Sequence, residues 1–287
     1  MSRVDLHIHS TASDGKYTPA EIVRQAAAAG LRYIALADHD SVDGIAPAIE
    51  AAKAFPQLTF IPGVEVSTDV SDGEIHVLGY FIDYAGKELG ESLKKFRASR
   101  EGRGRAMVDK LAGLGINVDW GRVREIAGGG AIGRPHVAQA MLEKGYIGNF
   151  KEAFDKYIGR VGPAYVEREK MTPAEAVMLV LRSGGLPVLA HPFTVADPEK
   201  WIIELKKAGL AGIEGYYKDN TPKNTRATLA LAEKYGLTVT GGSDFHGIEG
   251  SREVGLGGVD VPLSAARRLI KQAKKSGSAV REGRSPS

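Results

Sequence analysis

The chain has 287 residues, 43% hydrophobic and 25% charged, with a formal net charge of +3; this is an ordinary globular balance and fits one α/β barrel carrying an insertion. Cysteine is absent, which excludes disulfides and thiolate metal sites, leaves nitrogen and oxygen as the only metal donors, and suits a reducing cytoplasm. There is no basic-then-apolar leader, and no apolar run approaches ~18 residues, so neither secretion nor a membrane span is expected.

Val4 to His9 reads as a short strand. Thr18-Pro19-Ala20-Glu21 then opens a helix, with Thr18 as cap, Pro19 in the first turn and Glu21 at the reciprocal capping position. Gly30 ends that helix. Tyr33 to Ala37 reads as a buried strand, Gly44 to Phe55 as an alanine-rich helix, and Leu58 to Ile61 as a third strand. Glu74 to Tyr80 reads as a fourth strand paired with the third. Helical patterns dominate from residue 94 to 165, with glycine-rich breaks at 113–115 and 128–130. Thr172-Pro173-Ala174-Glu175 repeats the capping pattern. Strands and helices alternate again at Leu186 to Ala190, Pro198 to Ala208, Gly212 to Gly215, Thr221 to Tyr235 and Leu237 to Gly242. Such alternation predicts a mainly parallel sheet. The expected organisation is a barrel over 1–93 and 166–270, interrupted by a helical insertion at 94–165. A basic tail of disordered composition follows over 271–287.

Charge is unevenly spread. Residues 94–170 hold 16 Lys/Arg against 9 Asp/Glu, and the rest of the chain holds 22 against 26. A basic segment on an acidic frame points to an anionic ligand at the insertion.

Six of the seven histidines fall at or near strands of the predicted barrel. His7 and His9 close the first strand, where alternation lets both reach one ion. His39 follows the second strand, and His76 lies within the fourth. His191 follows the strand ending at Ala190, and His246 follows the strand ending near Gly242. Asp14, Glu65 and Asp244 occupy comparable positions, Glu65 after a Pro-Gly turn. Parallel barrels converge their carboxyl strand ends on one face, so these residues are expected to meet. Imidazoles and carboxylates without sulfur suit Mn²⁺, Fe²⁺ or Zn²⁺. Each motif alone is weak, and the joint pattern carries the expectation.

The ordered runs resemble the polymerase and histidinol phosphatase (PHP) family. They are Asp5-Leu6-His7-Ile8-His9-Ser10, Ser13-Asp14-Gly15, Ala37-Asp38-His39-Asp40, Pro62-Gly63-Val64-Glu65, Ile75-His76-Val77-Leu78-Gly79-Tyr80, Ala190-His191-Pro192 and Gly242-Ser243-Asp244-Phe245-His246. The resemblance implies a distorted TIM-like (β/α) barrel holding two or three divalent cations, manganese foremost and zinc or iron as alternatives. It implies one ion on His7, His9, Glu65 and Asp244. A second would share Glu65 and add His76 and His191, and a third would take Asp14, His39 and His246. Glu65 would bridge and carry a catalytic part. Gly133-Arg134-Pro135-His136-Val137-Ala138 resembles the insertion of those family members that act on 3′,5′-nucleoside bisphosphates and short oligonucleotides.

That likeness implies a phosphatase removing the 3′-phosphate of a nucleoside bisphosphate, with attack by water activated between the cations. Three divalent ions against three carboxylates would leave about three positive charges for a phosphate. Arg134 is the expected partner of a second phosphate; its alternative is a nearby carboxylate, with Pro135 merely starting a helix over Val137 to Lys144. His136 would add a donor, and Lys218 is a further candidate contact. Tyr216-Tyr217 could stack on a base or pack in the core. Asp40 is a candidate acid for the leaving group, against the plainer role of orienting His39. The nearest alternative activity is a 5′→3′ exonuclease or oligonucleotide phosphodiesterase on the same site. Others are amide hydrolysis, as in His-x-His amidohydrolase barrels, and a metal-free structural module of the family. The complete ligand set argues against the last. Nothing points to a membrane or an obligate protein partner.

Overall fold

The computed structural model describes residues 2–70, 73–128, 132–167, 171–248 and 254–278. Seven strands form one sheet in chain order: β1 (Val4–Ile8), β2 (Tyr33–Leu36), β3 (Thr59–Val70), β4 (Gly73–Tyr80), β5 (Leu186–Leu189), β6 (Gly212–Tyr217) and β7 (Thr238–Gly242). β1, β2 and β3 run parallel, β4 is antiparallel to both β3 and β5, and β5, β6 and β7 run parallel. The sheet curls until its first and last strands meet. Ile8 bridges Phe245, and the His9 N–H donates to the Phe245 carbonyl at 2.9 Å. Gly242 permits this approach, because a Cβ there would lie 2.4 Å from the His7 nitrogen. The result is the expected distorted α/β barrel, nearly closed.

Strand alternation sorts the apolar residues into two cores. Leu6, Ala35, Ile61, Leu78 and Val188 form one, crossed by Tyr80, whose hydroxyl donates to the Leu6 carbonyl at 2.9 Å. Ile34, Leu36, Val64, Val66 and Val77 belong to the other. Helices α1 (Pro19–Ala28), α2 (Ile45–Ala52), α7 (Pro173–Arg182) and α8 (Pro198–Ala208) contribute to that second core, and α9 (Pro222–Tyr235) packs on β6. The capping boxes form as read: Thr18 with Glu21, and Thr172 with Glu175. Each threonine cap contributes about 1 kcal/mol.

Three local expectations change. β3 continues to Val70 instead of stopping at Ile61, because antiparallel pairing with β4 satisfies its backbone across residues 63–70. Glu65 therefore sits inside a strand and not after a turn. The residues expected as tail from Lys271 remain helical through Ser276 in α10 (Leu263–Ser276), which buries Ala265, Ala266, Leu269 and Ala273. Burying Leu269 alone stabilises that helix by about 2 kcal/mol. The rest of the tail, from 279, lies outside the described residues. Finally, the helix expected from Val137 starts at Arg134.

The helical region has its own core of Met107, Leu111, Val123, Val137, Met141 and Ile158. It comprises α4 (Trp120–Ile126), α5 (Arg134–Glu143), α6 (Phe150–Ala153) with a π-turn to Ile158, and the second half of α3 (Lys87–Gly113). The first half of α3 contributes Leu89 and Leu93 to the barrel core. One continuous helix thus ties the two regions, and position 93/94 falls within it.

Candidate metal centre and substrate cleft

The barrel strands and the loops after them bring the nine predicted ligands together. Among the described residues, three groups have donor atoms within 4.8 Å of one another: His7, His9, Glu65 and Asp244; His9, Asp14, His39 and His246; and His39, Glu65 and His76. The first is the set implied for one ion. The second adds His9 to the set implied for another. In the third, His39 stands where His191 was implied. His191 still reaches the centre, with Nε2 3.1 Å from Glu65 Oε1.

Glu65 is the hub, and it is fully buried. Oε2 faces His7 Nε2 at 3.2 Å, His9 Nε2 at 3.3 Å and His39 Nδ1 at 3.2 Å. Oε1 faces His76 Nδ1 at 2.8 Å. The β3–β4 hairpin makes this possible: Ser67 pairs with His76, so Glu65, Ser67, His76 and Glu74 share one face. Asp40, His191 and Asp244 all adopt positive φ, at 48°, 24° and 49°. Such conformations are costly for non-glycine residues and gather where side chains must be aimed at a site. Asp244 and His246 lie beyond β7, so this local backbone aims them, not strand alternation.

Burial and charge oppose each other here. Burial raises carboxylate pKa values, yet His39, His7 and His76 outweigh it at Glu65, and His246 and His39 outweigh it at Asp14. Both are held well below the usual range. Burial would lower His9, but Asp244 and Glu65 push it up to about 10. At His39 burial wins and pulls the pKa to about 3. The buried carboxylate of Glu65 and the partly buried ones of Asp14 and Asp244 thus demand positive charge, which protons or cations can supply.

The donor set fits divalent cations. Both ring nitrogens of His9 are buried without a hydrogen-bond partner. Its Nε2 is nevertheless 3.0 Å from Asp244 Oδ1, so the two groups converge on a common point rather than on each other. His246 Nδ1 lies 2.9 Å from the Asp244 carbonyl; donating to it turns Nε2 towards Asp14 Oδ1, 3.4 Å away. Buried carboxylates hold the connecting loops. Asp38 accepts from Ser10 N–H, Ser10 Oγ and Ser13 Oγ, and Asp5 accepts from Ser243 and Gly257.

The substrate-side predictions fare differently. Asp40 does not simply orient His39. Its Oδ1 accepts the Ser67 N–H at 2.9 Å and its Oδ2 accepts Arg100 Nε at 2.6 Å. Ser67 Oγ, not Asp40, lies 3.2 Å from His39 Nδ1, because extended β3 inserts Ser67 there. Arg134 takes the carboxylate alternative, donating to Glu74 at 2.5 Å, and it lies over the Phe154 ring. It still lines a cleft of about 220 Å³ shared with Asp14, His39, His76 and Arg100. His136 Nδ1 accepts the Gly133 N–H at 2.9 Å, and burial, reinforced by Arg100 and His246, lowers its pKa. Lys218 donates to Asp244 Oδ2 and to its carbonyl, both at 3.0 Å. The Tyr217 hydroxyl donates to the same Oδ2 at 3.0 Å.

Sequence reading missed Arg100, Ser67, Glu74 and Glu214. Arg100 was one cation in a basic segment, with no local mark. Glu214 did carry a signal, as an acidic residue inside a short apolar strand, where burial is costly without partners.

Fold and donor set together define a barrel able to hold a cluster of divalent cations at its strand ends. The PHP domain model matches residues 5–167, and the chain belongs to the PHP domain family. It is 34% identical over 261 residues to the 3′,5′-nucleoside bisphosphate phosphatase of Chromobacterium violaceum, covering 89% of this chain and 91% of that one. It is 33% identical over 248 residues to a 5′-3′ exoribonuclease of Haemophilus influenzae, covering 85% and 90%. A crystal structure from Bifidobacterium adolescentis, described as a metal-dependent phosphoesterase, superposes with a TM-score of 0.85 at 28% identity, covering 94% and 96%. Among the described residues no helix is long and apolar enough to cross a membrane.

Proposed function

We propose that this PHP-family phosphoesterase removes the 3′-phosphate from 3′,5′-nucleoside bisphosphates, giving a nucleoside 5′-monophosphate and inorganic phosphate. The observation that carries the reading is the meeting of a buried histidine–carboxylate centre with an arginine-walled cleft, where Arg100 and Arg134 stand beside His39 and His76. One end suits a reacting phosphate and the other a second anion. The likeness to the Chromobacterium phosphatase over nine-tenths of both chains supports the substrate class.

His7, His9, Glu65 and Asp244 would hold one cation, and Asp14, His39 and His246 another. Glu65, His76 and His191 would complete a third position, with manganese as the favoured ion. Such cations supply positive charge to a phosphoryl group and lower the pKa of water. The chain's own side chains do the rest. Glu65 holds the histidines in one cluster. Arg100, fixed on its Nε side by Asp40, presents its guanidinium to the cleft. Arg134 exchanges Glu74 for a phosphate oxygen, and His136, kept neutral by burial, offers Nε2–H as a donor. Asp40 serves as the positioning partner of Arg100 and not as the leaving-group acid, since both its oxygens already accept hydrogen bonds. Lys218 neutralises the outer oxygen of Asp244. A cytoplasmic location belongs to the same reading.

The second reading, a 5′→3′ exonuclease, draws on the Haemophilus relative and on the cleft's basic wall. A phosphate-release screen with Mn²⁺ over nucleoside bisphosphates, mononucleotides, histidinol phosphate and 5′-phosphorylated oligonucleotides separates them. Fastest phosphate release from bisphosphates is expected. Faster liberation of mononucleotides from oligonucleotides would select the exonuclease, and amide hydrolysis without phosphate release would end both readings.

A further inference from the structure

Glu214 stands on β6 with its carboxylate fully buried. Such a charge is costly unless both oxygens are used, and here both are. Oε1 lies 3.0 Å from His7 Nδ1, and Oε2 accepts the His191 backbone N–H at 2.8 Å. His7 is on β1 and His191 follows β5. These strands are not neighbours in the sheet, so one side chain ties ligands from two separate parts of the barrel.

We propose that Glu214 is a positioning residue that sets the cation centre. A carboxylate can only accept, so His7 must carry a proton on Nδ1. Nε2 is then the nitrogen left to face Glu65 Oε2 at 3.2 Å and Asp244 Oδ1 at 3.5 Å. The same carboxylate pins the backbone of His191 at its strained φ of 24°, which holds that ring's Nε2 towards Glu65. Partners of this kind orient ligand histidines and raise their basicity. Glutamine is nearly isosteric but has one accepting oxygen. In Glu214→Gln that oxygen can serve His7 or His191, not both. If the amide NH₂ turns to His7, the imidazole proton moves to Nε2 and blocks the coordinating nitrogen.

The proposal rests on reading these histidines as cation ligands. Zn²⁺ affinity is to be measured by chelator competition on metal-freed wild type and Glu214→Gln, alongside the melting temperature of each metal-free protein. Separately, ¹⁵N–¹H spectra of Zn²⁺-loaded wild type report the His7 tautomer. The variant is expected to bind Zn²⁺ at least about tenfold more weakly, and wild-type His7 should show an exchange-protected proton on Nδ1. A variant that melts lower yet binds Zn²⁺ like wild type would reduce Glu214 to a packing group and overturn the proposal. A wild-type His7 proton on Nε2 would overturn it too, even if the variant fails to fold. Wild type that takes up no Zn²⁺ would overturn the cation reading and this proposal together.

Discussion

The barrel mouth and the helical region contribute to the cleft in different ways. The barrel ligands spring from the strands themselves and from the turns that follow them, and Glu65, His7 and His9 have no exposed surface. The helical region presents cations on long side chains, and two of them are anchored to barrel carboxylates: Arg100 to Asp40 and Arg134 to Glu74. A rigid sheet suits a cation centre, where small displacements cost much. Long side chains that exchange partners suit the task of choosing among phosphorylated substrates. α3 joins the two, because its first half lies in the barrel core and its second half in the helical core.

This contrast can be broken at several points. The largest effect is expected from Glu65→Ala, which removes the hub contacted by His7, His9, His39, His76 and His191. Bound cation, measured by elemental analysis, should fall, and phosphate release should drop at least about 100-fold. Chelation of wild type should give the same loss, restored by Mn²⁺. Undiminished turnover in the variant would contradict the barrel's role.

Asp40→Asn should come next. It weakens a charge-assisted bond to Arg100, so KM should rise roughly tenfold while cation content stays near wild type. Loss of cation instead would move Asp40 from the arginine wall into the cation centre. Arg134→Ala should raise KM by only about three- to tenfold with kcat retained, since its pair with Glu74 is partly exposed. An unchanged KM would remove Arg134 from substrate binding.

The smallest effect concerns His136. Its folded pKa lies below its ordinary value of 6.5, chiefly through burial. The neutral ring's contribution to stability is therefore present above that value and is lost as pH falls through the folded pKa. His136→Gln keeps an acceptor for the Gly133 N–H, as in a capping box. Melting curves from about pH 8 down to pH 5 should show a shallower loss for the variant than for wild type. Parallel curves would mean that His136 titrates as a solvated residue does.

Much of the architecture was legible in the chain. The capping boxes at Thr18 and Thr172 and the alternation after residue 171 depend on short-range physics, and they formed as read. Strand ends carrying His7, His39 and His191 were recognisable because a parallel barrel gathers such ends on one face. The antiparallel extension of β3 was less so: Pro62 and Gly63 resemble a turn, and only pairing with β4 keeps the strand going.

By itself the sequence determined the donor chemistry of this protein: no sulfur, many imidazoles, a few acids, set at the ends of elements that local propensity could place. Tertiary structure alone decided which donor faces which. His39 beside Glu65 and His76, Arg100 on Asp40, and Glu214 between His7 and His191 are contacts across 20 to 60 residues or far more, and some depend on backbone turned to positive φ. No periodicity encodes such meetings, because they arise only when the closing sheet brings distant strands within hydrogen-bond distance.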